Sequence, residues 1–380
     1  MSSITGTIAQ MSREVIKDPL FGELSYHRRL ANNTNFDGTK WLCRIPFEYA
    51  EVRRDGTVHL CCPSWNPAAV GNIFEESLES IWCGERARSI RHSIIDGSYR
   101  YCNQDTCPVI VNQRLEPRTT ERAVGLSNGV QNLPRSVHFV VDHSCNLACP
   151  SCRVSKINQL SAAERDQGYQ AVVRVLDCMF AKPHAEHKTL SMDGSGEIFH
   201  SALYRHLFET HAVFDRADLW PNLRFRMVTN GTMMTEKIQD RYQKIMSRLQ
   251  QLEVSVDAGN RHSYEQTRVG GNWDMLWQNL RHFHDTVLSV QPQTAWRWNI
   301  IVQKKNYQSL PELIELASSF QRKPLINITQ VLNWGTWSEP QYLDQAVHLP
   351  QHPEHDRYLE IMTSRAVRYL RRQARQAAKR

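Results

Sequence analysis

The sequence predicts an α/β protein of repeated strand–helix units around a parallel sheet, preceded by a small cysteine-rich hairpin-plus-helix domain. Three observations carry this. From residue 136 onward, short β-rich apolar runs alternate with longer segments whose apolar residues follow the helical period. Residues 38–115 break that pattern with a short strand pair, a tight-turn signal and six cysteines. A length of 380 residues exceeds one ordinary core, so two domains or a single large barrel are expected.

Taken in order, residues 1–37 form an N-terminal extension. The domain at 38–115 begins with strands Glu48 to Val52 and Val58 to Cys62, hinged at Arg54-Asp55-Gly56, and continues with a helix near 75–93. A polar stretch with Pro117 and Pro134 supplies the linker at 116–134. Six strands then follow within 135–345: Ser136 to Asp142, Lys188 to Asp193, Leu223 to Thr229, Leu252 to Asp257, Ala295 to Val302 and Leu325 to Val331. Helices are expected near 160–180, 200–213, 235–250, 273–289 and 309–321. Ser161 with Glu164, and Ser309 with Glu312, have capping-box spacing, in which serine and glutamate satisfy each other's backbone N–H groups. Residues 346–380 form a C-terminal segment with a basic helix, on which Leu359, Met362, Ala366, Tyr369 and Ala374 make a docking stripe.

The net charge of +7 does not point to nucleic acid. Arg365, Arg368, Arg371, Arg372, Arg375, Lys379 and Arg380 stand in the tail with no acid among them, and account for all of it. That tail is either a docked helix with a solvated basic face or a surface for an acidic partner. Hydrophobic residues at 41% and charged residues at 22% suit a folded globular chain. No apolar run reaches the roughly 18 to 20 residues of a membrane span. The N-terminus has no basic head followed by an apolar stretch, so a cytoplasmic location without membrane partners is expected.

Ten cysteines in a reducing compartment are read first as metal or redox chemistry. Cys145, Cys149 and Cys152 follow directly on the first strand of the βα series, which puts three thiols on one strand-end loop. Three thiolates on a four-iron cluster leave one iron open to a substrate or cofactor, whereas a closed cluster takes four. The alternative is a zinc site with His143 as fourth ligand. Cys178, inside an apolar helical pattern, and Cys83, after Trp82, are read as packing.

The segment DHSCNLACPSCR resembles the radical S-adenosylmethionine (radical SAM) superfamily, whose hallmark is CxxxCxxC after the first strand of a partial (β/α)6, TIM-like barrel. Ser195-Gly196-Glu197 is similar to the family's motif at the end of strand two, which holds the SAM amino group. Thr229-Asn230-Gly231 ends strand three and adds Asn230 to the expected cofactor contacts. Ser255 at the end of strand four and Arg268 beyond it are similar to the residues that bind SAM ribose and carboxylate in relatives. All these motifs fall at C-terminal strand ends, the face on which barrel-type folds build active sites. One departure is Ser151, where relatives carry an aromatic before the third cysteine.

Cys43, Cys61, Cys102 and Cys107, with Gly56 five residues before Cys61, resemble the SPASM or twitch auxiliary-cluster domain, here placed before the barrel rather than after it. The resemblance implies a second 4Fe-4S cluster on these four thiols; a zinc staple is the alternative. In a regular hairpin Cys61 and Cys62 face opposite sides. Cys61 is taken as the ligand, and Cys62 as a spare thiol or hydrogen-atom donor.

What the resemblance implies is an enzyme that uses SAM and a reduced cluster to make a 5′-deoxyadenosyl radical, which takes hydrogen from a substrate C–H bond. An electron donor of the flavodoxin or ferredoxin type and a small-molecule or peptide substrate are the implied partners. Residues 1–38 are too short for the winged leader-binding domain of many peptide-modifying relatives, which tilts the expectation towards oxidation of a carbohydrate or aminocyclitol. An epimerase is the weaker alternative, because no cysteine after Cys152 stands at a strand end. Trp334 and Trp337 are expected either to stack on a sugar or to pack the barrel edge. A non-catalytic iron-sulfur carrier or zinc protein would have no use for the SAM-type motifs.

Overall fold

The computed structural model describes residues 11–29, 36–192, 196–364 and 367. The chain divides into two compact units, one of residues 1–141, 163–191 and 219–222, the other of residues 142–162, 192–218 and 223–380. Both are built of helices and strands with parallel pairing.

The first unit opens with a hairpin inside the expected N-terminal extension. Strands β1 (Met11–Asp18) and β2 (Gly22–Arg29) pair antiparallel. Asp18 Oδ1 accepts from the N–H groups of Leu20 and Phe21 and shapes the turn, which Gly22 leaves at φ 73°. Leu24 and Tyr26 are buried, two positions apart as one strand face requires. Next come β3 (Trp41–Leu42), α1 (Ile45–Glu48), and the hairpin of β4 (Tyr49–Arg53) and β5 (Thr57–His59), turned at Gly56 with φ 83°. β6 (Ala69–Asn72) pairs antiparallel with β5.

The helix expected near 75–93 is two, α2 (Leu78–Cys83) and α3 (Glu85–Ile95), because the backbone is extended at Gly84. α2 buries Leu78, Ile81 and Trp82, which turns Cys83 outward. Cys83 is exposed, so its assignment to packing is corrected. After α4 (Pro108–Val111), the 116–134 stretch contains β7 (Glu116–Pro117), paired with β3, and α5 (Thr120–Asn128), which is capped by Thr119 and buries Ala123 and Leu126.

The unit is completed by β8 (Ser136–Val140), α6 (Ala162–Met179) and β9 (Lys188–Met192), in strand order β9-β8-β4-β5-β6. β4 runs parallel to β8, with Val52 opposite Phe139, so the cysteine-rich hairpin extends the sheet that β8 begins. Cys178 lies in the last turn of α6, half-buried beside Leu78 and Glu79 rather than in mid-helix.

In the second unit α7 (Ala202–Thr210) and α8 (Ala212–Asp215) lead to β10 (Leu223–Thr229). α9 (Glu236–Arg241) and α10 (Gln243–Met246) lead to β11 (Leu249–Ser255), and α11 (Arg261–Thr267) and α12 (Trp273–Phe283) to β12 (Ala295–Val302). α13 (Leu310–Ser318), β13 (Leu325–Gln330), α14 (Glu339–Gln345) and α15 (His355–Met362) follow. β10, β11, β12 and β13 are neighbours in that order and all parallel. Leu223, Phe225 and Met227 of β10 alternate into the core, as do Leu252 and Val254 of β11.

Two local expectations fail. Ser309 does not cap α13: a 3₁₀ turn at Tyr307–Ser309 runs straight into the helix, and the Ser309 hydroxyl donates to Asn306 O while accepting from Gly259 N–H. Glu312 instead accepts from Asn260 Nδ2. The capping box forms at Ser338 and Gln341 of α14. At the C-terminus Tyr358 and Met362, one turn apart, are the buried residues of α15, so Leu359 is turned outward and 42% exposed. Ala366, Tyr369, Ala374 and the basic tail residues lie outside the described residues. Among the described residues no helix is long and apolar enough to cross a membrane.

Candidate active site

The loop after β8 is folded by its own backbone. Asp142, 2% exposed, accepts from Ser144 N–H through Oδ1 and from the Ser201 hydroxyl through Oδ2. Cys145 N–H donates to Ile157 O, and the N–H groups of Cys152 and Arg153 both donate to Cys149 O, which winds Cys149 and Cys152 into one turn. Cys145 and Cys149 are buried and Cys152 is exposed. Burial raises the Cys145 and Cys149 thiols, opposed by Leu147 N–H and Arg153 at the first and by Arg268 at the second.

Each of the three sulfurs accepts from nitrogen. Cys145 Sγ lies 3.4 Å from Leu147 N and 3.8 Å from Asn230 Nδ2; Cys149 Sγ lies 3.7 Å from Arg268 Nη1; Cys152 Sγ lies 3.5 Å from Arg153 Nη2. N–H donors stabilise a thiolate over a thiol, and for iron-sulfur ligands they also set the reduction potential. Among the described residues no three Cys, His, Asp or Glu side chains gather on a single-ion site. A four-iron cluster asks for something else, one thiolate at each of three iron corners, and this donor set fits it.

Of the expected cofactor contacts, Gly196, Glu197, Asn230 and Arg268 lie against this loop. Ser195 lies outside the described residues. Gly196 has no room for a side chain, since a Cβ would meet Asp142 O and Ser144 O at 2.6 Å. The close approach lets Glu197 N–H donate to Ser144 O. Glu197 is 1% exposed, and its carboxylate accepts from Thr229 Oγ1 at 2.7 Å, Asn230 N at 2.6 Å and Phe199 N at 3.3 Å. Burial raises its pKa and these donors oppose the rise. Asn230 in turn donates to Asn146 Oδ1 and accepts from Thr232. The ends of β9 and β10 are thereby tied to the cysteine loop.

Ser255 is half-buried at the end of β11, opposite Asn299. Arg268, after α11, has Nε 2.7 Å from Asp257 Oδ2, in ion-pair contact but off the line of a hydrogen bond. Burial works against the charged guanidinium, yet Asp257 and Cys149 hold it firmly protonated. Asp257 is 2% exposed at φ 62°, and its Oδ1 accepts from Ile301 N–H. Asp257, Asn146, Thr229 and Arg153 join the site without being among the residues the sequence leads one to expect. An acid at a strand's C-terminal end was the one available signal, at Asp257. Trp334 is 60% exposed, whereas Trp337 is half-buried.

In the first unit Cys43, Cys61, Cys102 and Cys107 lie near enough to act on one another electrostatically. Burial pushes Cys43 up to about 12, with Cys107 adding to the rise; Cys61 and Cys102 are also raised, by burial first and then by the neighbouring thiols. Cys43, Cys102 and Cys107 pack against an apolar cluster that includes Leu42, Tyr99 and Ile110. Burial holds Cys43, Cys61 and Cys102 as thiols until a metal takes the protons' place. Cys62 is raised by burial and by Glu51, and bonds to Ser64. β5 ends at His59, so strand alternation does not separate the two cysteines; the bend after the strand does.

Comparison with known proteins finds a similarity for this segment. Residues 43–108 match the model of the SPASM family, an iron-sulfur cluster-binding domain. No curated protein sequence matches the chain. Among solved structures the chain is similar to the Streptococcus suis protein SuiB bound to precursor peptide SuiA, at 11% identity and TM-score 0.39 over 85% of this chain and 70% of that one. It is also similar to BtrN in complex with AdoMet and 2-DOIA, at 13% identity and TM-score 0.24 over 63% of this chain and 86% of that one.

Proposed function

We propose that this chain is a radical SAM enzyme with two 4Fe-4S clusters: an open one on Cys145, Cys149 and Cys152 within a partial (β/α)6 barrel, and an auxiliary one on Cys43, Cys61, Cys102 and Cys107. The observation that carries the reading is the ring of nitrogen donors on all three loop thiols, two of them from outside the loop: Asn230 just beyond β10 and Arg268 just after α11. When bound, the clusters and SAM supply reductive carbon–sulfur cleavage, a 5′-deoxyadenosyl radical for hydrogen abstraction, and an electron acceptor for the substrate radical.

The chain's own residues position and shield. Arg268, charged and 14% exposed, offers guanidinium hydrogens towards a carboxylate at the Cys149 corner. Glu197 holds the turn at Asn230 through its backbone N–H, and with Ser195, Gly196 and Ser255 it forms the proposed SAM contact surface. The reaction proposed is oxidative, on a carbohydrate or aminocyclitol, with an external one-electron donor of the flavodoxin or ferredoxin type.

The test is electron paramagnetic resonance of the iron-loaded, dithionite-reduced protein. Adding SAM should change the signal of wild type and leave that of Cys149→Ala unchanged. A wild-type signal indifferent to SAM would refute the reading. The oxidative outcome fails if turnover in deuterated water fixes one non-exchangeable deuterium in recovered substrate and Cys62→Ser abolishes it.

A further inference from the structure

We propose that Arg226 and Arg297 form an anion subsite on the sheet of the second unit, which holds a carboxylate or phosphate group of the substrate. That the group belongs to a carbohydrate substrate rests on the radical SAM reading; the anion chemistry stands apart from it. Parallel strands are usually covered on both faces and read as apolar runs. β10 to β13 are apolar on one face only, where Phe225, Met227, Leu252, Val254 and Trp298 are buried. The residues between them point to the other face, with Arg226 opposite Gln251, Glu253 opposite Arg297, and Asn299 opposite Asn327. Arg226, Arg297 and Asn327 are exposed, so a ligand can reach this polar face.

The acid on this face is engaged elsewhere. Gln251 Nε2 donates to Glu253 Oε1, and Asn299 Nδ2 donates to Glu253 Oε2 at 2.6 Å. Asn327 Nδ2 donates in turn to Asn299 Oδ1 at 3.2 Å. Among the described residues neither Arg226 nor Arg297 has a carboxylate within ion-pair distance. Arg226 engages only its Nε, which donates to Gln250 Oε1 at 2.9 Å, and Arg297 has no side-chain partner among the described residues. Partial burial, and next the charge of Arg297, lower the Arg226 guanidinium from its ordinary value, with Glu253 acting the other way. Two like charges that feel each other, with guanidinium hydrogens left to donate, are stabilised by an anion between them. Carboxylate and phosphate oxygens match the paired N–H groups of a guanidinium.

The placement suits a substrate. Arg297 is level with Glu253, and Ser255 of the proposed SAM contact surface stands two residues further along β11. At the rise of a strand the two levels are about 7 Å apart. An anionic group held by the arginines therefore leaves a single ring beside the SAM surface, with the amides of Asn299 and Asn327 next to its hydroxyl groups. An amine would meet two cations, which favours a sugar acid or sugar phosphate over an aminocyclitol.

Calorimetric titration of the iron-loaded full chain under anaerobic conditions tests this. The probes are D-glucuronate, D-glucose 6-phosphate and, as the neutral control, D-glucose. Saturable binding of glucuronate or glucose 6-phosphate is expected, and whichever binds more tightly identifies the group as carboxylate or phosphate. Glucose should bind at least tenfold more weakly, for want of the charge-assisted hydrogen bonds. Arg226→Gln and Arg297→Gln should each weaken the anionic sugar about tenfold or more, while Arg226→Lys, which keeps the charge, should weaken it less. In wild type, where no variant has to fold, added sodium chloride should weaken binding of the anionic sugar and leave that of glucose unchanged. Glucose binding as tight as that of the charged sugars, no saturation by either charged sugar, or equal binding by the folded glutamine variants would overturn the proposal. Anion binding that depends on both arginines in a protein indifferent to SAM would sink the enzyme reading and leave the subsite standing.

Discussion

Arg268 Nε stands 2.7 Å from Asp257 Oδ2 in a pair that solvent barely reaches, the guanidinium 14% and the carboxylate 3% exposed. Removing one partner of a buried pair strands the other charge and costs about 3–5 kcal/mol. Asparagine is the appropriate replacement at Asp257, because it tolerates the positive φ of 62°. Asp257→Asn should lower unfolding free energy in urea by about 3 kcal/mol, and Asp257→Asn with Arg268→Leu should cost less than the sum of the two single changes. Additive losses would show that the pair is not coupled.

Glu197 is a carboxylate with three protein donors aimed at it. Glutamine at this position would point an amide N–H₂ at one of those donors, with nothing to accept it. Glu197→Gln should therefore loosen the turn at Asn230 and weaken SAM binding by about tenfold or more, by equilibrium dialysis of iron-loaded protein. Binding as tight as wild type would remove Glu197 from the site.

The neighbouring thiols Cys61 and Cys62 should behave differently. Cys61 lies among Cys43, Cys102 and Cys107, whereas Cys62 keeps company with Glu51 and Ser64. Wild type should bind about eight irons, and Cys61→Ser about four, by the logic of two four-iron clusters. Cys62→Ser should retain about eight. The reverse pattern in a colorimetric iron assay would exchange their roles.

His348 supplies a pH dependence. Burial, followed by His355 and His352, lowers its pKa from 6.5 to about 4. The folded state thus disfavours the protonated ring, so stability present above pH 6.5 is lost as pH falls towards 4. The loss is at most about 3 kcal/mol, reduced by the water that reaches this half-buried ring. His348→Gln should flatten the urea midpoint between pH 6.5 and 4; an unchanged slope would assign the loss to other groups.

What could be seen in the sequence was what is local. The strand Leu223–Thr229 and the turn at Gly56 announce themselves within a few residues, by alternation and by a required positive φ. The thiol loop is equally local, because its three cysteines fall within eight residues of chain. The pairing of β4 with β8 joins segments far apart in the chain and leaves no pattern in either. The Asp257–Arg268 pair was hidden for a related reason: Asp257 reads as an ordinary strand end until its backbone turns the carboxylate inward. Ser309 and Glu312 had the right spacing for a cap, but tertiary partners at Gly259 and Asn260 took both side chains.

The most direct measurement is the product of reduction. Protein reconstituted with iron and sulfide, reduced with dithionite and incubated with SAM under anaerobic conditions should form 5′-deoxyadenosine and methionine, and the Cys145→Ala/Cys149→Ala/Cys152→Ala variant should form neither. Wild-type protein that loads its loop with zinc and no iron, or a triple variant that still makes the nucleoside, would contradict the account.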